Sequence, residues 1–141
     1  DEKAIIRPLL VAYGKCKRIQ SHGTYWTSLL QKQIESDNEN DVVFVTDIRY
    51  AEYEKDEVQW IKNTMNGELI HISKYTIDKS YDWEFRNYVE PPNEDEAKND
   101  PIIRGYSDVL FEWEHCLQDD LTVDTNYMKS VVRPLLSKIF E

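Results

Sequence analysis

The chain reads as an α/β protein with a short parallel sheet flanked by helices. Three observations predict this. Val42-Val43-Phe44-Val45-Thr46 is a continuous apolar run of the kind buried on both faces of a parallel sheet. A helical pattern follows it over residues 51–66, carrying Tyr53, Val58, Trp60, Ile61 and Met65. Leu69-Ile70-His71-Ile72 then reads as a second strand, so residues 42–72 form a strand-helix-strand unit whose parallel crossover is right-handed.

Before this unit, Ile5, Ile6, Leu9, Leu10 and Tyr13 recur at helical spacing, and Gly14 stands where a C-cap glycine would end the helix. Pro8 moves the expected start toward Arg7. Lys15 to Gly23 is basic and polar. Thr24 then caps a second helix running to about Ile34, with Trp26, Leu29, Leu30 and Ile34 on one face. A polar stretch over 35–41 separates it from the first strand, and Asn66-Gly67 closes the third helix.

Residues 73–105 are expected to be irregular, and 90–101 to be a charged loop in which no periodic element runs. Tyr106 to Trp113 is the third strand. After a turn at 118–122, an amphipathic helix over 123–140, broken near Pro134, closes the chain.

The 141 residues fit one domain, and 40% hydrophobic with 12% aromatic residues is enough for a core. Lys and Arg number 17 against 27 Asp and Glu, a net charge of −10, with no basic stripe. That balance speaks against a nucleic-acid partner, whose affinity rests on neutralised phosphates. It does not oppose a small phosphorylated ligand, which one or two arginines can hold. No apolar run is long enough for a membrane span, so no membrane partner and a cytoplasmic location are expected, the host cytoplasm if the protein is viral. Cys16 and Cys116 have neither zinc nor redox spacing and read as reduced thiols; a Cys116–His115 dyad is disfavoured because sequence neighbours point apart. His71 reads as a strand residue with a hydrogen-bonded ring.

Two segments carry candidate chemistry. Beyond the first strand, Asp47 would project into the crevice where open parallel sheets bind ligands, able to order a water or a magnesium shell or to orient an arginine. Arg49 offers a planar fork matched to phosphate oxygens. The competing reading makes Asp47 a helix cap and Arg49 a surface residue paired with Glu52 or Glu54. In the second segment Lys15, Lys17 and Arg18 lie within four residues and are followed by Tyr25 and Trp26, a phosphate clamp beside a stacking wall. The competing reading is compensation of a helix C-terminal dipole, with Trp26 in the core.

Together these segments resemble a known family. Residues 7–30, Arg-Pro-Leu-Leu-Val-Ala-Tyr-Gly-Lys-Cys-Lys-Arg through Tyr-Trp-Thr-Ser-Leu-Leu, resemble the second quarter of phage-type deoxynucleoside monophosphate kinases of the P-loop nucleotide kinase superfamily. Val-Thr-Asp-Ile-Arg-Tyr at 45–50 is similar to that group's strand ending in Asp-x-Arg-aromatic. Asn66-Gly67 with residues 69–72 is similar to its next glycine-led strand, and Asn99-Asp100 with residues 106–111 to its late strand. The resemblance covers most of the chain.

It implies a three-layer P-loop-kinase-like fold over residues 1–141, and transfer of the ATP γ-phosphate to a nucleoside monophosphate with Mg2+. Arg18 and Arg49 would bind acceptor or transferred phosphate, with Lys15 and Lys17 beside them. Asp47 would organise the phosphate and magnesium site through water, Tyr25 and Trp26 would wall the acceptor pocket, and Arg104 would be a lid arginine. A homodimer is compatible with this reading. The sequence departs from the family in having only four glycines and no Gly-x-x-x-x-Gly-Lys-Ser/Thr loop. Three accounts stay open: a phosphate loop and first strand upstream of Asp1, a kinase-like domain that binds nucleotide or protein without catalysis, or an acidic α/β interaction domain using Trp60, Trp83 and Trp113.

Overall fold

The computed structural model describes residues 2–37, 42–78, 85–115 and 124–140. It is a mixed α/β arrangement: helix α1 (Glu2–Gln20), α2 (Thr24–Ser36), α3 (Glu57–Gln59) continued by a π-helical turn (Trp60–Thr64), strands β1 (Ile70–Asp78) and β2 (Phe85–Tyr88), α4 (Glu94–Tyr106), β3 (Val109–Glu114) and α5 (Thr125–Phe140). The sheet has the order β2-β1-β3. β1 and β3 are parallel, in register from Ile70↔Val109 to Tyr75↔Glu114, whereas β1 and β2 are antiparallel, from Tyr75↔Tyr88 to Asp78↔Phe85. The sheet is therefore mixed rather than wholly parallel.

α1 runs past both expected breaks. Pro8 stands inside the helix, where it removes the N–H that would bond the Ala4 carbonyl without ending the helix, and Gly14 sits in open space with nothing to stop it. The stop is His22-Gly23, both left-handed at φ 50° and 88°, with the Gly23 N–H donating to the Arg18 carbonyl at 2.9 Å. Lys17 and Arg18 thereby fall in the last helical turn, where cations complement the dipole. α2 begins as expected, but Thr24 does not cap it; its hydroxyl donates to the Ser21 carbonyl.

The largest correction concerns residues 42–46, which have no regular secondary structure; Val42, Val43 and Phe44 are exposed. A strand apolar on both faces needs a partner on its edges, and among the described residues nothing pairs with this one, so the expected crossover from 42–46 to 69–72 does not form. The helix expected from residue 51 starts only at Glu57. Asp56 Oδ2 accepts the N–H groups of Glu52 and Tyr53, at 3.1 and 3.3 Å, and so holds residues 52–56 in a turn. Asn66, at φ 51°, does close the π-helical turn, as expected of Asn-Gly.

The second correction is α4, which occupies the stretch expected to be a charged loop. Asn93 caps it: its Oδ1 accepts from the Glu96 N–H and its Nδ2 donates to Glu96 Oε1, both at 2.9 Å. Glu94, Asp95 and Glu96 suit the positive end of the dipole. Arg104 consequently lies on a helix, not in a loop. α5 continues through Pro134 without a break. The turn at 118–122, Tyr81, Trp83 and Cys116 lie outside the described residues.

The core is small. Val58, Leu69 and Ile103 form its centre, with Ile48 and Ala51 packed against them; Trp60, Ile61 and Val109 are also buried. Ile5, Ile6, Leu9 and Leu10, which recur at helical spacing, are exposed, and so is Trp26, against the reading that puts it in the core. The core thus joins the 48–61 segment, β1, α4 and β3, and it is on α4 that two of the candidates, Lys15 and Arg49, meet their partners.

Candidate functional site

Arg18 leaves the last turn of α1 and points inward. Its Nη2 bonds Asp56 Oδ2 at 2.5 Å, its Nη1 pairs with Glu52 Oε2 at 3.0 Å, and its guanidinium lies over the rings of Tyr50 and Tyr53, 3.8 and 4.8 Å from their centroids. Arg18 is 8% exposed and Asp56 fully buried. Burial disfavours the Arg18 charge, but the bonds and field of Asp56 and Glu52 outweigh it and hold the guanidinium above its ordinary range. Breaking such a buried pair costs about 3–5 kcal/mol, so a phosphate does not readily take Arg18 from its carboxylates. Arg18 instead ties α1 to the 50–56 turn.

Asp47 and Arg49 lie in the irregular segment just before that turn. Asp47 is left-handed at φ 63°, a conformation Asp tolerates better than most residues. The N–H groups of Arg49 and Tyr50 donate to Glu57 Oε2, at 2.6 and 3.1 Å. Burial raises the Glu57 carboxyl, against the pull of those two bonds. Held this way, the Arg49 fork projects half-exposed, with Nη2 3.6 Å from Asp47 Oδ1 and Nη1 3.3 Å from Glu96 Oε1 on α4. Asp47 and Arg49 are thus neighbours, and Arg49 pairs with neither Glu52 nor Glu54.

Lys15 meets the next α4 carboxylate, Asp95 Oδ2, at 3.4 Å. Lys17 turns the other way and sits over the rings of Tyr13 and Tyr25, at 5.6 and 5.2 Å, while Tyr25 packs edge-on against Trp26 at 4.7 Å. Trp26 Nε1 donates to the Gly14 carbonyl at 3.4 Å. Lys17, Tyr25 and Trp26 form one cluster, which no hydrogen bond or ion pair among the described residues joins to Asp47 or Arg49.

Arg104, at the far end of α4, lines a cleft of about 450 Å3 between α4, β1 and the residues after β2. Its Nη1 donates to Ser73 Oγ at 3.2 Å and its Nη2 lies 3.5 Å from Glu112 Oε1. In the same cleft the buried His71 pairs through Nε2 with Asp100 Oδ1 at 2.9 Å, which bears out its reading as a hydrogen-bonded strand residue. Ser73 Oγ is 3.3 Å from His71 Nδ1. That is longer than the roughly 2.6–3.2 Å of a nucleophile–base pair. Ser73, Asp100 and Glu96 were not singled out from the sequence. The Asn93-x-x-Glu96 box was the signal that could have put them, with Arg104, on or against one helix.

Among the described residues no three His, Cys, Asp or Glu side chains converge as a metal cage. Asp47 is one exposed carboxylate beside Arg49, which suits a water-mediated contact to magnesium carried by nucleotide phosphates better than a resident ion. No helix among the described residues is long and apolar enough to cross a membrane. None of the protein-family models, curated proteins or solved structures compared with the chain matches it.

Of the candidates, Lys15 and Arg49 thus meet on α4, which also carries Arg104, whereas Arg18 is turned to Asp56 and Lys17, Tyr25 and Trp26 cluster apart. Asp95 meets Lys15, Glu96 meets Arg49, Lys98 meets Glu52 at 2.6 Å, Asp100 meets His71 and Arg104 meets Ser73.

Proposed function

We propose that the chain is a nucleotide-binding domain of the nucleoside monophosphate kinase type, which passes the γ-phosphate of MgATP to a nucleoside monophosphate. The observation that carries this reading is the Asp47–Arg49 segment. Glu57 holds the backbone N–H groups of Arg49 and Tyr50, Arg18 packs on the Tyr50 ring beside it, and the Arg49 fork is paired with the exposed Asp47 and the partly buried Glu96. A rigidly mounted, half-exposed arginine is what phosphoryl transfer asks of a protein, because positioning and charge neutralisation do most of the work. In this reading Arg49 and Lys15 bind phosphate, Asp47 orders a water of the MgATP shell and Arg18 positions the adjoining turn. Lys17, Tyr25 and Trp26 flank the acceptor, and Arg104 reaches in from α4.

The fold expected with it is a three-layer P-loop arrangement, in which residues 42–46 pair along a strand edge that the described residues do not supply. The exposure of Val42, Val43 and Phe44 supports that part of the reading. ADP release from MgATP by the complete polypeptide, measured across the common nucleoside monophosphates, tests it. Turnover with at least one of them is expected, falling about 100-fold in Arg49→Ala; no ADP with any acceptor overturns the kinase reading.

A second reading, nucleotide binding without turnover, is favoured by the carboxylates on Lys15, Arg18, Arg49 and Arg104 and by the lack of a glycine-rich loop in this sequence. It predicts thermal stabilisation by a nucleoside monophosphate, lost in Arg49→Ala, with no ADP formed.

A further inference from the structure

Lys15 and Arg49 project from separate parts of the chain, yet their carboxylate partners are consecutive residues of one helical turn, Asp95 and Glu96. That turn is poorly anchored. Residues 94, 95, 97 and 98 are exposed and Glu96 is partly so, and beyond the Asn93 cap the side-chain ion pairs of 94–98 with other elements among the described residues are those on Lys15, Arg49 and Glu52. Exposed pairs of this kind contribute little each. From residue 99 onward α4 is held differently, with Asn99 buried, Asp100 on the buried His71 and Ile103 in the core.

Just inside the anchored part stands Pro101, which weakens the turn before it, at 97–98 where the two parts meet. It has no N–H to give the Ala97 carbonyl, and its ring crowds the preceding turn. A helix bends most easily at such a point. α4 is therefore built as an anchored half and a detachable acidic half with a weakened joint between them.

We infer that the Glu94–Glu96 turn is an internal competitor for phosphate, which regulates access to Lys15 and Arg49. This rests on the reading of those two cations as phosphate-binding. The carboxylates of Asp95 and Glu96 occupy positions that phosphate oxygens take when nucleotide arrives, and the turn then swings away at the 97–98 joint that Pro101 weakens, leaving Asn99 and Asp100 in place. Lys98 leaves Glu52 in the same movement, and Glu52 keeps its bond to Arg18. The buried Arg18–Asp56 pair does not change, so the Asp47–Arg49 segment stays mounted while its cover opens.

Calorimetric titration of the complete polypeptide with inorganic pyrophosphate and with adenosine monophosphate tests the device. Asp95→Asn with Glu96→Gln removes both carboxylates, and Gln still fills the capping box. The double variant is expected to bind pyrophosphate roughly three- to thirty-fold more tightly than the native chain, the range that two exposed ion pairs allow. Adding Arg49→Gln should abolish the gain. Glu35→Gln with Glu68→Gln makes the same charge change elsewhere on the surface and should give a much smaller gain. Equal binding by the native chain and the Asp95/Glu96 variant, or an equal gain in the Glu35/Glu68 control, overturns the competitor and leaves the phosphate reading standing. Failure of every form to bind either probe overturns the phosphate reading itself. Hydrogen exchange supplies a second measurement: pyrophosphate should lower amide protection over 94–98 and leave 103–106 unchanged, and unchanged protection over 94–98 overturns the swing.

Discussion

Gly23 shows how closely the parts around Arg18 are fitted. Its φ of 88° turns the chain out of α1, and a Cβ added there would lie 2.7 Å from Asp56 Oδ1. Asp56 cannot retreat, because its other oxygen holds Arg18 and two backbone N–H groups. Gly23→Ala is therefore expected to cost about 2 kcal/mol or more, combining the left-handed backbone with the clash. Chemical denaturation would show it as a lower midpoint with an unchanged slope, and full stability in this variant would contradict the fitted packing. At this scale the sequence correctly marked Arg18 as unusual, one of three cations in four residues of an acidic chain. It could not assign its partners, because Glu52 and Asp56 lie 34 and 38 positions away and nothing local announces which of 27 acids will be buried.

Elements were legible where the pattern was local and failed where a neighbour decides. α2 and β3 appear close to their expected bounds because spacing and turn residues agree with the packing. Residues 42–46 have the strongest strand composition in the chain and still form no strand, since β-propensity records fitness for a sheet surface rather than the presence of a partner. α4 failed in the opposite sense: Pro91, Pro92 and Pro101 hid a helix whose cap was written in Asn93 and Glu96. Asn93→Ala should remove that cap and cost about 1 kcal/mol. Because the cap serves the ion-paired half of α4, the loss should appear first as faster amide exchange over 94–98, with Ile103 unaffected. Uniform exchange changes along α4 would argue against two separately anchored halves.

For the whole molecule, the position of the charge matters more than its total. Residues 90–100 carry five acids and one lysine, a net −4 of the −10, and two of those acids, Asp95 and Glu96, pair with the candidate cations Lys15 and Arg49. Several carboxylates also link stability to pH. The Leu69 N–H and then Lys62 hold Asp108 below its ordinary range, and Lys98 and Arg18 outweigh partial burial to do the same for Glu52. A carboxyl lowered on folding is protonated first in the unfolded chain. Its stabilisation is therefore complete above the ordinary carboxyl range of about 4 and is lost as the pH falls through the lowered folded value. Glu57, raised by burial, acts in the opposite direction, easing as it takes up a proton. Asp108→Asn should be about 1 kcal/mol or less below the native chain at pH 7 and converge on it in acid. Urea midpoints measured across that pH range would show the convergence, and parallel curves would remove Asp108 from the account.

By itself the sequence determined the α/β class, the helices on either side of Gly23, the existence of strands at β1 and β3 and the shortlist of cations, because these follow from spacing, turn chemistry and composition along the chain. Only the tertiary structure decided which arginine is buried and which projects, that the sheet is mixed, and that an acidic helix covers Lys15 and Arg49. Those outcomes depend on which distant carboxylate arrives at each cation and which edge finds a partner strand, and such long-range pairings leave no periodic trace in the order of the residues.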